Sequence, residues 1–249
     1  MKFLKKNVSI FTITIIYLIL FLLMLPLREQ SYLDDFAYIK NVEQFVQTGD
    51  LKITDWASTT LVFPVLWGSL FAKIFGFSIK ILHLSNIVLF YFGLLAFYGI
   101  LRNFNIDKFK SVVFTLFLLS YLWIFQFLFS FMSDTFYISL MLISIYFYTK
   151  AFNKDQISFY FWGSFFAGLA FLTRQIGITI PITITLVLLI KLYHQKSLNW
   201  KILITALFPV FLIITLYYAW ISIVGLSAAN YLFFNVYTKQ AILAKLFPL

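Results

Sequence analysis

The chain has 249 residues, of which 62% are hydrophobic and 11% charged, and its mean hydropathy is +0.94. Soluble domains contain about 45–50% apolar and about 25% charged residues, so this composition excludes a soluble or disordered protein and predicts an all-α polytopic membrane helix bundle. The absence of cysteine excludes disulfides, thiolate metal sites and cysteine nucleophiles. In a membrane protein the net charge of +10 indicates basic cytoplasmic loops and anionic lipid headgroups as partners, not nucleic acid.

A helix needs about 20 apolar residues to cross the hydrocarbon core of a bilayer. The first candidate follows Lys2, Lys5 and Lys6 as in a signal peptide, but its apolar run is long and no small-residue cleavage site follows, so we expect a retained helix. The stretch Thr59–Gly76 is short and contains Pro64, and we place it in the membrane interface. The predicted spans are Asn7–Leu27, Ile81–Leu101, Ser111–Phe131, Asp134–Phe152, Ser158–Thr173, Ile176–Tyr193 and Ile202–Val224.

The distribution of basic residues decides the orientation. With Thr59–Gly76 in the interface and the N-terminus in the cytoplasm, eight basic residues fall in cytoplasmic connections; if Thr59–Gly76 crosses the membrane, all eight move outside. The positive-inside rule favours the first arrangement. We therefore expect a multi-pass protein of a prokaryotic plasma membrane with about seven spans and a first extracytoplasmic loop at residues 28–80. The eight residues are Arg102, Lys108, Lys110, Lys150, Lys154, Lys191, Lys196 and Lys201.

Acidic residues gather on the predicted outer side, together with Arg174. Asp34 and Asp35 begin a predicted amphipathic helix, Ser31–Gly49, in which Gly49 suits the position after the last turn. One interpretation is helix capping, because Ser31-x-x-Asp34 fits a capping box. The other is acid–base chemistry, since neighbouring carboxylates near lipid repel each other and one can accept a proton. The outer acids are Glu29, Asp34, Asp35, Glu43, Asp50, Asp55 and Asp134, seven of the nine in the chain.

Two later charged residues are candidates for a site. Asp134 interrupts the otherwise almost uncharged 39 residues of Ser111–Thr149. It either caps the following helix or has a function, as ionisable residues at membrane depth often do. Arg174 either snorkels from a helix end or binds a lipid phosphate with its planar fork.

Other groups give less support for a site. His83 is interpreted as a packed or interfacial residue and His194 as a loop residue, and neither is expected to be a ligand. The sequence contains no HExxH, GxGxxG or Walker A motif, so it does not support tight metal, dinucleotide or nucleotide sites.

Four segments in this order resemble the GT-C superfamily of membrane glycosyltransferases, in the mannosyltransferase-like and aminoarabinose-transferase-like branch. They are LDDFAYIKNVEQFVQTGDL, FPVLWGSLFAKIFG, SFMSDTFYISLMLISIYFY and GLAFLTRQIGI. The resemblance implies a seven-helix module with two interfacial helices in the first outer loop. It also implies transfer of a sugar from a polyprenyl-phosphate donor, with inversion, on the extracytoplasmic face. By resemblance Asp34 is the general base of the catalytic pair Asp34 and Asp35, and Asp134 and Arg174 bind the donor. A divalent cation between acids and phosphate is compatible with this scheme, although no ligand set demands one.

The sequence also departs from the family pattern. The acid pair is Asp-Asp where Asp-Glu is usual, and Thr60-Leu61-Val62-Phe63-Pro64 replaces the usual Pro-Pro or His-Pro. We expect residues 1–249 to form one module, with the C-terminal module of the family absent or truncated, so that a partner subunit could complete it. The alternatives are a transporter or flippase for a lipid-linked substrate, in which Pro181 and Pro209 break helices, and a non-catalytic subunit.

Overall fold

The computed structural model describes residues 2–24, 31, 34–53, 60–154, 156–195 and 200–224. Within these residues the chain is helical, which confirms the predicted all-α class. Glu29, Asp55, Lys196 and everything after Val224 lie outside the described residues. The helices are α1 (Lys2–Met24), α2 (Asp35–Thr48), α3 (Val62–Phe75), α4 (Ile79–Asn103), α5 (Lys108–Leu119), α6 (Leu122–Leu128), α7 (Ser133–Lys154), α8 (Ile157–Phe171), a 3-10 helix (Gln175–Ile178), α9 (Thr179–Gln195) and α10 (Trp200–Val224).

Three described helices, α4, α7 and α10, are long and apolar enough to cross a membrane. The pair α5 and α6 makes a fourth if it is counted as one broken span. The predicted count of seven therefore stays a prediction, because the other apolar helices are shorter. Helix α3 has 14 residues, about 21 Å at 1.5 Å per residue, which is short for the ~30 Å core and agrees with an interfacial position.

The predicted span Ser111–Phe131 corresponds to two helices and not one, because α5 and α6 meet at a bend of 68°. The Ser120 hydroxyl donates to Phe117 O at 2.7 Å and competes with helix continuation at the break. The Asn86 side chain on α4 then holds the end of α6. Its Nδ2 lies 3.1 Å from Phe127 O, 3.3 Å from Leu128 O and 2.7 Å from Ser130 O.

The centre of the bundle is a row of closely packed helices, α4 against α7, α7 against α8, and α8 against α10. The approach of α4 to α7 depends on Gly93, where a Cβ would lie 2.8 Å from Ser139 Cα. Small residues at such contacts let membrane helices come close, because lipid supplies no hydrophobic force between them. Polar contacts add to this packing, and Ser144 donates to Gly163 O at 2.7 Å.

Neither proline proposed as a helix breaker interrupts its helix. Pro181 lies in the first turn of α9, where a missing N–H costs nothing. Helix α10 continues through Pro209, and neighbouring helices provide partners for the adjacent turn. Ala206 O accepts from Tyr148 Oη at 2.8 Å, and the Val210 N–H donates to Ser164 Oγ at 3.1 Å.

The helices bring two groups of connections to opposite ends of the bundle. At one end, here called the site end, the N-termini of α2, α4 and α7 meet the C-terminus of α8. At the other, the basic end, the C-termini of α4 and α7 meet through Asn103, whose Nδ2 donates to Thr149 Oγ1 at 2.9 Å. Which of the two ends faces the cytoplasm stays a prediction.

Candidate active site

The two adjacent acids at the start of α2 have opposite environments. Asp34 is exposed and precedes the helix without a side-chain capping bond, whereas Asp35 is its first residue and is fully buried. The predicted capping box is therefore wrong, because the helix begins at Asp35 and not after Ser31. The predicted helix end is confirmed, since Gly49 has a left-handed φ of 76° and its N–H bonds Phe45 O.

Asp35 joins three parts of the fold. Its Oδ2 lies 3.3 Å from Nε2 of His83 on α4 and accepts from the Phe131 N–H at 3.3 Å, between α6 and α7. His83 is 1% exposed, which confirms its interpretation as a packed residue. Its Nδ1 has no hydrogen-bond partner within the described residues. Asp35 thus anchors the start of α2 to the bundle.

Asp134 and Arg174 form an ion pair across 40 residues of sequence. Arg174 Nη2 lies 2.8 Å from Asp134 Oδ2, and Arg174 Nε donates to Ser133 Oγ at 3.0 Å. The side chains of Arg174 and Asp134 are 41% and 29% exposed, so the pair is accessible from outside the bundle. The ion pair supplies the cation that Asp134 lacks among its sequence neighbours.

The backbone around Arg174 holds the guanidinium at the site end. The Arg174 N–H donates to Ala170 O at 3.0 Å, and the Gly177 N–H donates to Arg174 O at 2.8 Å. A Cβ on Gly177 would lie 2.5 Å from the Phe171 nitrogen, so only glycine lets this turn close against α8. The turn therefore directs Arg174 back towards the start of α7.

Tyr38 connects the acid of α2 with the ion pair. Burial raises the pKa of its phenol above the ordinary value, while the Ser133 side chain, within hydrogen-bonding reach, and the Arg174 guanidinium lower it in part. The negative charges of Asp134 and Asp34 raise the pKa of Tyr38 further, so both carboxylates lie within electrostatic range of this phenol. The phenol stays protonated at neutral pH and is a hydrogen-bond donor at the site end.

The structure thus brings together three of the four predicted site residues, Asp34, Asp134 and Arg174, and turns Asp35 into the core. Sequence reasoning missed Tyr38, although its position four residues after Asp34 places both on one helix face. It also missed the role of His83 as the partner of Asp35, for which spacing gives no signal.

The chemistry available at this site is anion binding beside an exposed carboxylate. Arg174 has five N–H donors, of which one bonds Ser133 and one bonds Asp134, leaving three for a ligand. Within the described part of the chain, no three His, Asp or Glu side chains gather as metal ligands.

These features define a helical membrane protein with a charged site at one end of the bundle. The sequence model of the dolichyl-phosphate-mannose-protein mannosyltransferase family matches residues 61–220, and the chain belongs to this family, part of the GT-C superfamily. Family membership indicates a membrane glycosyltransferase of the GT-C type. The match includes Asp134 and Arg174 and begins after Asp34 and Asp35. No curated protein and no solved structure matches the chain significantly.

Proposed function

We propose that the chain transfers a sugar from a polyprenyl-phosphate donor to an acceptor on the extracytoplasmic face, with inversion at the anomeric carbon. The observation that carries the proposal is the ion pair of Arg174 and Asp134 beside the exposed carboxylate Asp34, on a chain of the mannosyltransferase family. A lipid-linked donor fits a membrane bundle whose charged site is at one end.

Arg174 binds the donor phosphate in this proposal. Its fork suits phosphate oxygens, and the free N–H donors neutralise negative charge that develops on the departing lipid phosphate. Asp134 is a positioning residue, because its carboxylate holds the guanidinium at 2.8 Å and restricts its rotation. Tyr38 donates a further hydrogen bond to the ligand or to Ser133.

Asp34 is the general base in this proposal. It takes the proton of an acceptor hydroxyl or amine, the acceptor oxygen or nitrogen bonds to the anomeric carbon, and the bond from that carbon to the phosphate oxygen breaks. The exposed carboxylate is accessible to an acceptor, and the neighbouring Asp35 keeps it in place through the buried contacts with His83 and Phe131.

Replacement of Asp34 by asparagine tests the base. General-base help is worth about 10²–10⁴-fold, so D34N lowers the transfer rate by that factor while donor binding is retained. Transfer is measured with a radiolabelled polyprenyl-phosphate sugar in membranes that contain equal amounts of each variant. Asp50→Asn is the matched control, since Asp50 is an exposed acid just after α2. Normal turnover by D34N would remove Asp34 from the mechanism.

Replacement of Arg174 by lysine tests the phosphate contact separately. The ammonium keeps the charge and loses the fork, so the donor Kd rises at least tenfold. Lys154→Gln, at an exposed position of the basic end, is the control and leaves donor affinity unchanged. Equal donor affinity in R174K and the wild type would contradict phosphate binding by Arg174, whatever the result for Asp34.

The proposed orientation has its own test in the cysteine-free background. Single cysteines at Asp34 and Lys154, both exposed, are labelled in intact cells with a membrane-impermeant maleimide. We expect Asp34→Cys to react at once and Lys154→Cys only after the membrane is opened. The reverse pattern would place the site on the cytoplasmic face and exclude an extracytoplasmic reaction.

A further inference from the structure

An apolar groove of about 680 Å³ runs along α4 and is also lined by residues of α1, α3, α7 and α8. Its volume is in the range of about 300–1,000 Å³ that ligand pockets occupy. The α4 residues that line it extend from Leu89 to Asn103, about 21 Å at 1.5 Å per residue. Phe92 and Ile10 in its lining are 50% and 40% exposed, so the groove opens sideways at the surface that lipid covers.

The lining is apolar along most of this length, the indole N–H of Trp67 being bonded to Ser85 O, and its charged residue lies at the basic end. There Arg102, Asn103 and Tyr146 line the groove. Asn103 Nδ2 also lies 3.4 Å from Tyr146 O, so the ends of α4 and α7 are held together at this point. Such a groove suits a ligand with a long apolar chain and one polar head.

A second cation lies beside the polar end of the groove. Lys150 Nζ donates to Tyr146 Oη at 3.0 Å and lies 4.5 Å from the centroid of the Phe159 ring. The ammonium therefore remains near the groove although Lys150 is not part of its lining. Arg102 and Lys150 give this end a double positive charge.

Among the described acids of the basic end, Asp107 lies within electrostatic range of Arg102 but forms no ion pair with it. Asp107 is fully exposed, and its carboxylate caps α5 by accepting from the N–H groups of Phe109 at 2.8 Å and Lys110 at 3.2 Å. Arg102 donates through Nη1 to Ile106 O and forms no ion pair within the described residues. Its remaining N–H donors are free to bind an anion.

We propose that the groove binds an anionic phospholipid, with one acyl chain along α4 and the phosphate at Arg102 and Lys150. Charge and polarity select this ligand, since an anionic headgroup meets two cations where the apolar lining ends. A lipid whose phosphate lies at Arg174 would instead press the apolar end of its tail against Arg102, at the cost of desolvating a guanidinium. The site is independent of the proposed transfer reaction.

Binding of defined lipids to the purified protein tests this proposal. Delipidated protein in detergent is titrated with phosphatidylglycerol or phosphatidylcholine of identical acyl chains, and bound lipid is counted by native mass spectrometry. The wild type binds one phosphatidylglycerol in preference to phosphatidylcholine. A cation near an anionic lipid is worth about fivefold in affinity, so Arg102→Gln with Lys150→Gln weakens phosphatidylglycerol binding about thirtyfold.

A matched double variant separates the groove from the general charge of this end. Lys108→Gln with Lys154→Gln removes the same charge from exposed positions outside the groove, and it retains phosphatidylglycerol binding. Leu95→Trp fills the groove with apolar bulk and weakens binding without a change of charge. The melting temperature of each variant without lipid shows whether it is folded, and only folded variants are compared.

Three results would overturn the proposal. Equal binding of phosphatidylglycerol and phosphatidylcholine would mean that the headgroup is not recognised. Equal loss in the two double variants would mean that the charge of the surface, and not the groove, attracts the lipid. Displacement of phosphatidylglycerol by one equivalent of polyprenyl phosphate would assign the groove to the donor tail.

Discussion

Replacement of Asp35 by alanine removes the acceptor of the Phe131 N–H and the partner of His83 Nε2 together. Both groups remain buried, since His83 is 1% and Phe131 0% exposed. An orphaned buried polar group costs about 1–3 kcal/mol, and D35A leaves two of them, which puts the middle of the combined range at about 3–5 kcal/mol. We therefore expect D35A to lower the free energy of unfolding by about 3–5 kcal/mol.

In a chain of this length, 1 kcal/mol changes the melting temperature by about 2–4 °C, so the expected decrease is about 6–20 °C. The measurement is thermal denaturation of detergent-solubilised protein, followed by the fraction that stays monodisperse. Asp34→Ala is the matched control, one residue earlier. Asp34 is exposed and makes no side-chain capping bond, so we expect the melting temperature of D34A to differ from that of the wild type by no more than about 2 °C.

A double-mutant cycle with His83 makes the prediction sharper. If the pair is one unit, D35A and His83→Ala are not additive, with a coupling energy of about 1–3 kcal/mol. Equal melting temperatures for D35A and D34A would refute the assignment of Asp35 as the buried anchor. Full additivity of D35A and H83A would refute the contact between them.

Two further substitutions probe the packing of the bundle. Gly93→Ala places a Cβ 2.8 Å from Ser139 Cα on α7, a backbone atom that moves only if the helices separate. We therefore expect the free energy of unfolding to fall by about 1–3 kcal/mol, measured by thermal denaturation. An unchanged melting temperature would contradict the close approach of α4 and α7. Ser164→Ala leaves the buried Val210 N–H without its side-chain acceptor, so we expect the free energy of unfolding to fall by about 1–3 kcal/mol. The control, Ser222→Ala on the exposed side of α10, lowers it by less than about 0.5 kcal/mol. Equal effects of the two substitutions would show that Val210 has another acceptor.

The sequence was sufficient for the helical class and for much of the helix placement, because hydropathy reports the environment of each segment directly. Ile81–Leu101 and Asp134–Phe152 fall within two residues of the ends of α4 and α7. The bend between α5 and α6 was missed because a hydropathy window does not register a serine hydroxyl or a distant amide that competes for backbone carbonyls.

The site was predicted only in part, because the sequence shows on which side charged residues gather but not which of them are in contact. Charge asymmetry placed Asp34, Asp134 and Arg174 on one side, and the structure brings them to one end of the bundle. The contact of Arg174 with Asp134 spans 40 residues, and that of Asp35 with His83 spans 48, so no local periodicity encodes either pair. For the same reason the sequence could not show which of the two adjacent acids is buried.

The Asn86 amide has a consequence for biosynthesis. Its Nδ2 lies within hydrogen-bonding distance of three carbonyls at and just after the end of α6, and its Oδ1 accepts from Thr135 Oγ1 at 2.8 Å on α7. Translation delivers Asn86 about forty residues ahead of Phe127, so we expect the amide to be available as a donor when the broken segment leaves the ribosome. The carbonyls at the break between α6 and α7 would then have a hydrogen-bond donor as soon as they enter the lipid, where an unpaired carbonyl is costly.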